Sequence, residues 1–524
     1  MNNEESKGLR LLKQGQKGFF HLIFSRLGLI VLLLAFHIFL LFSVFHWFER
    51  FLPHIYGGAI LLTVAMVLYL LNTRMDASAK ITWLFVILLL PVFGALLFCY
   101  TRSDLGHRAL KRRVSQLIAQ TGESIPQSGE VMERLTRESP SAAALAHYLH
   151  RTGCYPAYDR TQVTYFPLGE RMWEEMLRQL EQAEHFIFLE YFIVDEGVMW
   201  GKMLEILARK AREGVDVRIM IDGTCEFTTL PHDYPQRLGE LGIRCKLFAP
   251  VTPFVSTHYN YRDHRKILVI DGHTAFTGGV NLADDYINLG SRYGHWKDAA
   301  IMLKGEAVPS FTLMFLQMWN IDERQPEFDR FLAYPTLAPE NTQGYVIPYG
   351  DFPLDQDKVG ERVYMDILNR AQRYVHIMTP YMILDNEMET ALKFAAERGV
   401  DVSLILPGVT DNHAAHALAW THYASLLDSG VKIYEYTPGF VHSKVFVSDD
   451  REAVVGTINM DYRSLYHHFE CAAYLYGVPC ISQIEEDFRE TRGRCRRITP
   501  QSARKEKLSR KLSGILLKAI APLM

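Results

Sequence analysis

The chain has 524 residues, too long for one ordinary domain, so two or three folded units are expected. Charged residues make up 22% and the formal net charge is -3; that balance gives no electrostatic case for a nucleic-acid partner, which calls for a basic surface. Seven cysteines without a Cys-x-x-Cys pair point to neither a disulfide framework nor a cysteine zinc site, leaving scattered reduced thiols.

The first predicted elements are apolar. Leu27 to Phe48 is long enough to cross a bilayer as a helix, Ile55 to Leu71 sits at the lower limit, and Ile81 to Tyr100 is again long enough, with Pro91 as a kink. The first is too long for a cleavable signal, and no small-residue cleavage site follows it. His37 within it reads as a neutral histidine facing a neighbouring helix. Residues 1–102 are therefore expected to form a membrane region with about three hydrophobic segments. Lys7, Arg10, Lys13, Lys17 and Arg26 precede the first, and Arg102, Arg108, Lys111, Arg112 and Arg113 follow the third. Both clusters ask for the cytoplasmic side, which three full spans cannot satisfy. Residues 103–158 turn polar and read as a connector.

A long-period repeat follows. "HFIFLEYFIVDEG" (His185 to Gly197) is echoed by "YVHIMTPYMILDN" (Tyr374 to Asn386), and "AREGVDVRIMIDG" by "AAERGVDVSLILPG". Each copy alternates helices with strands, so two similar α/β domains with parallel sheets are expected, at residues 159–335 and 336–500. "DHRKILVIDG" in the first copy corresponds to "VHSKVFVSDD" in the second. His264, Lys266 and Asp271 thus fall in the order of His442, Lys444 and Asp449. Asn281 stands 17 residues after His264, and Asn459 17 after His442.

Residues i and i+2 of a strand share a face, so each histidine points with its lysine into one space. Brought together about a pseudo-twofold axis, the two copies offer two imidazoles, two ammonium groups and two carboxamides. That set suits a phosphate: one neutral imidazole attacks phosphorus, and the other, protonated, serves the leaving oxygen. The lysines supply the positive charge a metal would bring, so no metal or cofactor is expected. Asp271 and Asp449 are expected either to accept a ring N–H from the histidines or to cap a turn. Glu470, in "HHFEC", and Trp296, Lys297 and Asp298, in "GHWKD", either shape the pocket and orient a histidine or are core and solvent-facing residues.

The doubled H-x-K-x-x-x-x-D with its downstream glycine and asparagine resembles the signature of the phospholipase D superfamily. "GGVNLADDYIN", "FLQMWN", "AVVGTINMDYRSLYHHFEC" and the "LLPVFGALLF" segment resemble the bacterial cardiolipin synthases within it. The likeness runs from about Leu70 to the C-terminus. It implies two phospholipase D-like domains packed about a pseudo-twofold axis behind N-terminal transmembrane helices, in a multi-pass protein of the cell membrane. It also implies an enzyme that joins two phosphatidylglycerol molecules into cardiolipin and releases glycerol. His264 would carry a phosphatidyl intermediate and His442 would act as acid and then base. Lys266, Lys444, Asn281 and Asn459 would hold phosphate oxygens. A phospholipase D hydrolase, with water resolving the same intermediate, is the rival reading, because the motif residues serve both. A soluble, basic nuclease and an inert scaffold fit less well, since both motifs are complete.

The tail, residues 501–524, places Leu508, Leu512, Ile515, Leu516 and Ile520 at helical spacing among Arg504, Lys505, Lys507, Arg510, Lys511 and Lys518. It reads as an in-plane amphipathic helix on anionic lipid, or as a helix packed on the protein's own body.

Overall fold

A computed structural model describes residues 52–73, 75, 77–102, 105–250, 261–290, 292–355 and 357–504, with single positions at 35, 38, 39, 514, 517 and 518. The expected span Leu27–Phe48 and nearly all of the basic tail lie outside them. Of the tail, the helix Pro500–Arg504 is described, and Gly514 is buried against Ala417 and Thr421. The chain divides into two compact units.

The smaller unit holds three apolar helices: α1 (Leu52–Asn72), α2 (Ala77–Leu89) and α3 (Pro91–Arg102). The segment Ile81–Tyr100, expected to be one kinked span, is thus two short helices. Among the described residues no helix is long and apolar enough to cross a membrane.

The larger unit contains both repeat copies. The first builds a seven-stranded sheet from β1 (Thr161–Phe166), β2 (Phe186–Tyr191), β3 (Asp216–Asp222), β4 (Arg244–Phe248), β6 (Lys266–Ile270), β7 (Thr274–Gly278) and β9 (Ala300–Gly305), in the order β1-β9-β7-β6-β2-β3-β4. In the second copy, β10 (Tyr345–Asp351), β11 (Tyr374–Met378), β12 (Asp401–Pro407), β13 (Lys432–Tyr436), β15 (Val445–Ser448), β16 (Glu452–Gly456) and β17 (His468–Tyr476) repeat that order as β10-β17-β16-β15-β11-β12-β13. The edge strand β18 (Cys495–Ile498) follows β13.

The expectation of parallel sheets holds for only half of each. β2-β3-β4 and β11-β12-β13 are parallel, joined through helices such as α4 (Val198–Arg212) and α5 (Asn386–Glu397). The motif strands β6 and β15 run antiparallel to their neighbours, because tight turns at Asp271-Gly272 and Asp449-Asp450 connect them to β7 and β16 and leave no crossover helix.

Strand alternation sorts the core. Phe186 and Phe188 of β2 enter a cluster shared with Met378, Val445 and Val447 of the other sheet, while Ile187, Leu189 and Tyr191 face the opposite side. The helices Val308–Trp319 and Ile481–Gly493 lie in the shared cluster. The expected polar connector is folded: helices Gly129–Glu138 and Pro140–Gly153 bury Val131, Leu135, Leu145 and Leu149 in the outer core of the second copy. Those residues recur at helical spacing, which forms one apolar face on a segment polar on average.

Candidate active site

Each motif histidine sits where one copy's chain crosses to the other. The short strand β5 (Arg262–Asp263), just before His264, pairs parallel with the start of β17, and the His264 amide donates to the carbonyl of Phe469 at 2.9 Å. Reciprocally, β14 (Gly439–Val441), just before His442, pairs parallel with β8 (His295–Lys297), and the His442 amide donates to the carbonyl of Lys297 at 2.7 Å. One residue beyond each acceptor carbonyl stands a carboxylate from the opposite copy. Glu470 places both oxygens 2.9 Å from His264 Nδ1, and Asp298 places Oδ2 2.7 Å from His442 Nδ1. Both carboxylates are fully buried.

These two dyads correct the expectation for the motif aspartates as ring partners. Asp271 accepts from the amides of Glu184, His185 and Phe186 at 2.7, 2.8 and 2.7 Å. Asp449 does the same for Gln372, Arg373 and Tyr374 at 2.7, 2.9 and 2.9 Å. Both sit in the left-handed region, with φ of 51° and 56°, and clamp the tight turn onto the start of a central strand. The turn-capping alternative is the one the geometry supports, and the ring N–H goes to the carboxylate of the other copy.

The lysines remain beside their histidines. Lys266 Nζ donates to the His264 carbonyl at 2.7 Å, and Lys444 Nζ lies 2.8 Å from His442 Nε2. The same Nζ lies 2.9 Å from Nδ1, which faces Asp298, and donates to the His442 carbonyl, so the ammonium sits against the ring between its two nitrogens. Asn281 makes contacts within its own copy: its Oδ1 accepts from the Ile193 amide at 3.1 Å and its Nδ2 donates to the Tyr286 hydroxyl at 2.8 Å. The Asn459 Oδ1 is buried without a hydrogen-bond partner among the described residues.

Burial dominates the electrostatics. It pushes His264 down to about 3 despite Glu470, and His442 down to about 4 with help from Lys444, so both rings are neutral near pH 7. It brings Lys266 to about 8 and Lys444 to about 7, opposed by Glu470 and Asp298 respectively. Burial alone would raise the two carboxylic acids, but His264 holds Glu470 well below the ordinary range, and His442 and Lys444 hold Asp298 down. Lys266 acts electrostatically on both His442 and Lys444, lowering each.

Donor atoms of His264, His468 and Glu470 lie within 4.8 Å of one another, a set that chemically suits a divalent cation. Two ammonium groups already balance the two carboxylates, however, and a divalent cation would add uncompensated buried charge.

Several members escaped the sequence reading. Phe192 meets the His264 ring edge-on at 4.9 Å, Tyr286 meets His442 at 5.2 Å, and Thr457 donates to Glu470. The rings of His468 and Trp296 stand at equivalent places, 5.5 Å from His264 and 5.4 Å from His442. Lys297 is buried and paired with Asp487 at 2.8 Å, so it does not face solvent. Aligning "HWKDAA" with "HHFECAA" places Asp298 opposite Glu470, which was the available signal.

Comparison with known proteins gives a consistent result. The family model described as cardiolipin synthase, phospholipase D-like domain matches twice, at residues 176–319 and 364–492. A phospholipase D-nuclease N-terminal model matches residues 61–98. A cardiolipin synthase of Geobacillus kaustophilus is 34% identical over 429 residues, covering 82% of this chain and 85% of the relative. One of Alkalihalophilus pseudofirmus is 33% identical over 78% of this chain and 82% of its own. An uncharacterized protein of Streptococcus mutans is 55% identical over 88% of this chain and 100% of its own. The crystal structure of a phosphatidylserine synthase of Haemophilus influenzae shares the fold, with a TM-score of 0.53 at 15% identity over 69% of this chain and 93% of that one.

Proposed function

The chain belongs to the family of cardiolipin synthases with phospholipase D-like domains and is a phosphatidyltransferase; from that premise we propose that it converts two phosphatidylglycerol molecules into cardiolipin and glycerol through a phosphatidyl-histidine. The observation that carries this reading is the reciprocal pair of carboxylate–histidine dyads around two lysines.

In the first half-reaction the Nε2 lone pair of His264 forms a bond to phosphorus, and the bond from phosphorus to the glycerol oxygen breaks. Attack makes the His264 ring cationic, and Glu470 at Nδ1 stabilises that charge. The departing oxygen takes a proton from His442. In the free enzyme that proton rests on Lys444, whose ammonium faces His442 Nε2 at 2.8 Å; an arriving phosphodiester anion favours the imidazolium and draws the proton across. Neutral His442 then takes the proton from a hydroxyl of the second phosphatidylglycerol. Its oxygen bonds to phosphorus, the phosphorus–nitrogen bond breaks, and His264 returns to its starting state. Lys266 and Lys444 hold the phosphate oxygens, and Asn281 and Asn459 border the same space.

We place the protein at the cell membrane as a multi-pass protein acting on anionic lipid, on the apolar character of α1 and of the segment Leu27–Phe48 before it. Purified protein given phosphatidylglycerol vesicles alone tests the reaction. Cardiolipin and free glycerol in equal amounts are expected; phosphatidic acid with glycerol would establish the hydrolase instead.

A further inference from the structure

The apolar segment Ile81–Tyr100 has the length of a membrane span, yet it folds back on itself. In a straight helix Trp83 and Phe98 would stand about 22 Å apart along the axis, whereas their rings meet edge-to-face with centroids at 5.1 Å. The reversal is built at Leu90-Pro91 and Gly94. Pro91 brings no N–H to the helical ladder, and a Cβ at Gly94 would lie 2.8 Å from the Val86 carbonyl oxygen and 2.9 Å from the Ile87 Cα. Only glycine lets the second arm start so close to the first. The backbone at the turn stays bonded, with Leu90 N–H to Val86 O at 2.9 Å and Gly94 N–H to Leu90 O at 2.6 Å. Leu70, Trp83, Ile87 and Phe98 form a core that fastens α1 to both arms.

We propose that α2–α3 is a re-entrant hairpin that enters one leaflet of the lipid bilayer and leaves on the side where it entered. The arms have 13 and 12 residues, so at 1.5 Å per residue they reach about 20 and 18 Å. The hydrocarbon core is about 30 Å thick. Residues 85–96, which form the turn and its approaches, carry no charge. The surface they expose is apolar, including Phe85, Leu88, Leu89, Val92 and Leu96. Charge collects instead at the two open ends, at Arg74 and Asp76 before α2, at Lys80 in its first turn, and at Arg102 and Asp104 at the end of α3. An uncharged tip between two charged ends fits acyl chains above and headgroups below.

The hairpin also removes the conflict over orientation. If Ile81–Tyr100 does not cross while the two preceding apolar segments do, the basic clusters at 7–26 and 102–113 lie on one side. Both then obey the rule that places basic loops in the cytoplasm. The inference holds for any lipid the enzyme processes.

The test uses full-length protein in the membranes of intact cells, with Ala77→Cys, Leu89→Cys and Thr101→Cys made one at a time at exposed positions. Labelling by a membrane-impermeant maleimide is read by peptide mapping, so the native cysteines stay in place. Sites 77 and 101 should behave alike, protected in intact cells and labelled once the cells are opened. Site 89 should stay unlabelled from both faces until detergent is added. Labelling of 77 and 101 from opposite faces would overturn the proposal, as would labelling of 89 from water. Lipid transfer is assayed separately on the same variants, so failure of the hairpin and failure of the reaction are distinguishable.

Discussion

Replacing Glu470 with glutamine tests the site at its most informative atom. The side chain keeps its length, its oxygen still accepts from His264 Nδ1, and the new amide still meets the Thr457 hydroxyl. The charge is lost, together with the second of the two oxygens that now stand 2.9 Å from His264 Nδ1. In the resting enzyme His264 is neutral, so the ground state changes little. In the attack the ring becomes cationic against a fully buried partner now 2.9 Å away. Taking about 4 Å between charge centres and an effective dielectric of about 20, the lost attraction is about 4 kcal/mol. At about 1.4 kcal/mol per factor of ten, turnover should fall about a thousandfold. The assay is glycerol release from phosphatidylglycerol vesicles, with thermal unfolding to confirm the fold. A folded variant that keeps more than a tenth of the parent rate would refute the claim that Glu470 stabilises the covalent intermediate. Asp298→Asn acts on His442 by the same logic and should be comparably slow.

Four further outcomes follow from the same geometry. His264→Ala and His442→Ala should each abolish synthesis; with a substrate whose leaving group needs no protonation, the His442 variant should accumulate an adduct that peptide mapping places on His264, and an adduct on His442 would reverse the roles. Asp271→Ala should cost about 3 kcal/mol of stability in chemical denaturation, about 1 kcal/mol for each amide left unbonded, while Asp449→Ala, partly exposed, should cost less; a loss of turnover without a loss of stability would contradict the turn-clamp role. The free-enzyme pH profile of kcat/KM should be flat between about 3 and 7, falling below as the nucleophile His264 (about 3) takes up a proton and above as Lys444 (about 7) and then Lys266 (about 8) lose them. Because these lysines bind fewer protons folded than unfolded, their contribution to stability rises with pH above about 7, so an alkaline loss of activity with the protein still folded separates chemistry from unfolding. A chelator should leave synthesis unchanged, since the Lys266 ammonium and the proton shared by Lys444 and His442 carry the charge at the phosphate; loss of activity from folded protein would overturn this.

The sequence by itself determined the duplication and singled out the paired motif residues as candidates. An identical spacing from His264 to Asn281 and from His442 to Asn459 needs no coordinates to be seen, and period-two alternation places each lysine beside its histidine. Strand order, by contrast, was only half legible: Gly-Val-Asp-Val after a helix signals a parallel strand, but the antiparallel half depends on which strands the turns at Asp271 and Asp449 bring together. Glu470 and Asp298 were legible as candidates to orient a histidine, but which histidine each one serves was not, for the same reason. Glu470 and Asp298 are 206 and 144 residues from the histidines they orient, and each reaches its partner only because β5 pairs with β17 and β14 with β8. Local spacing reports which residues share a strand face; hydrogen bonds between strands of different copies are made by tertiary pairing, and that pairing decided which carboxylate each histidine received.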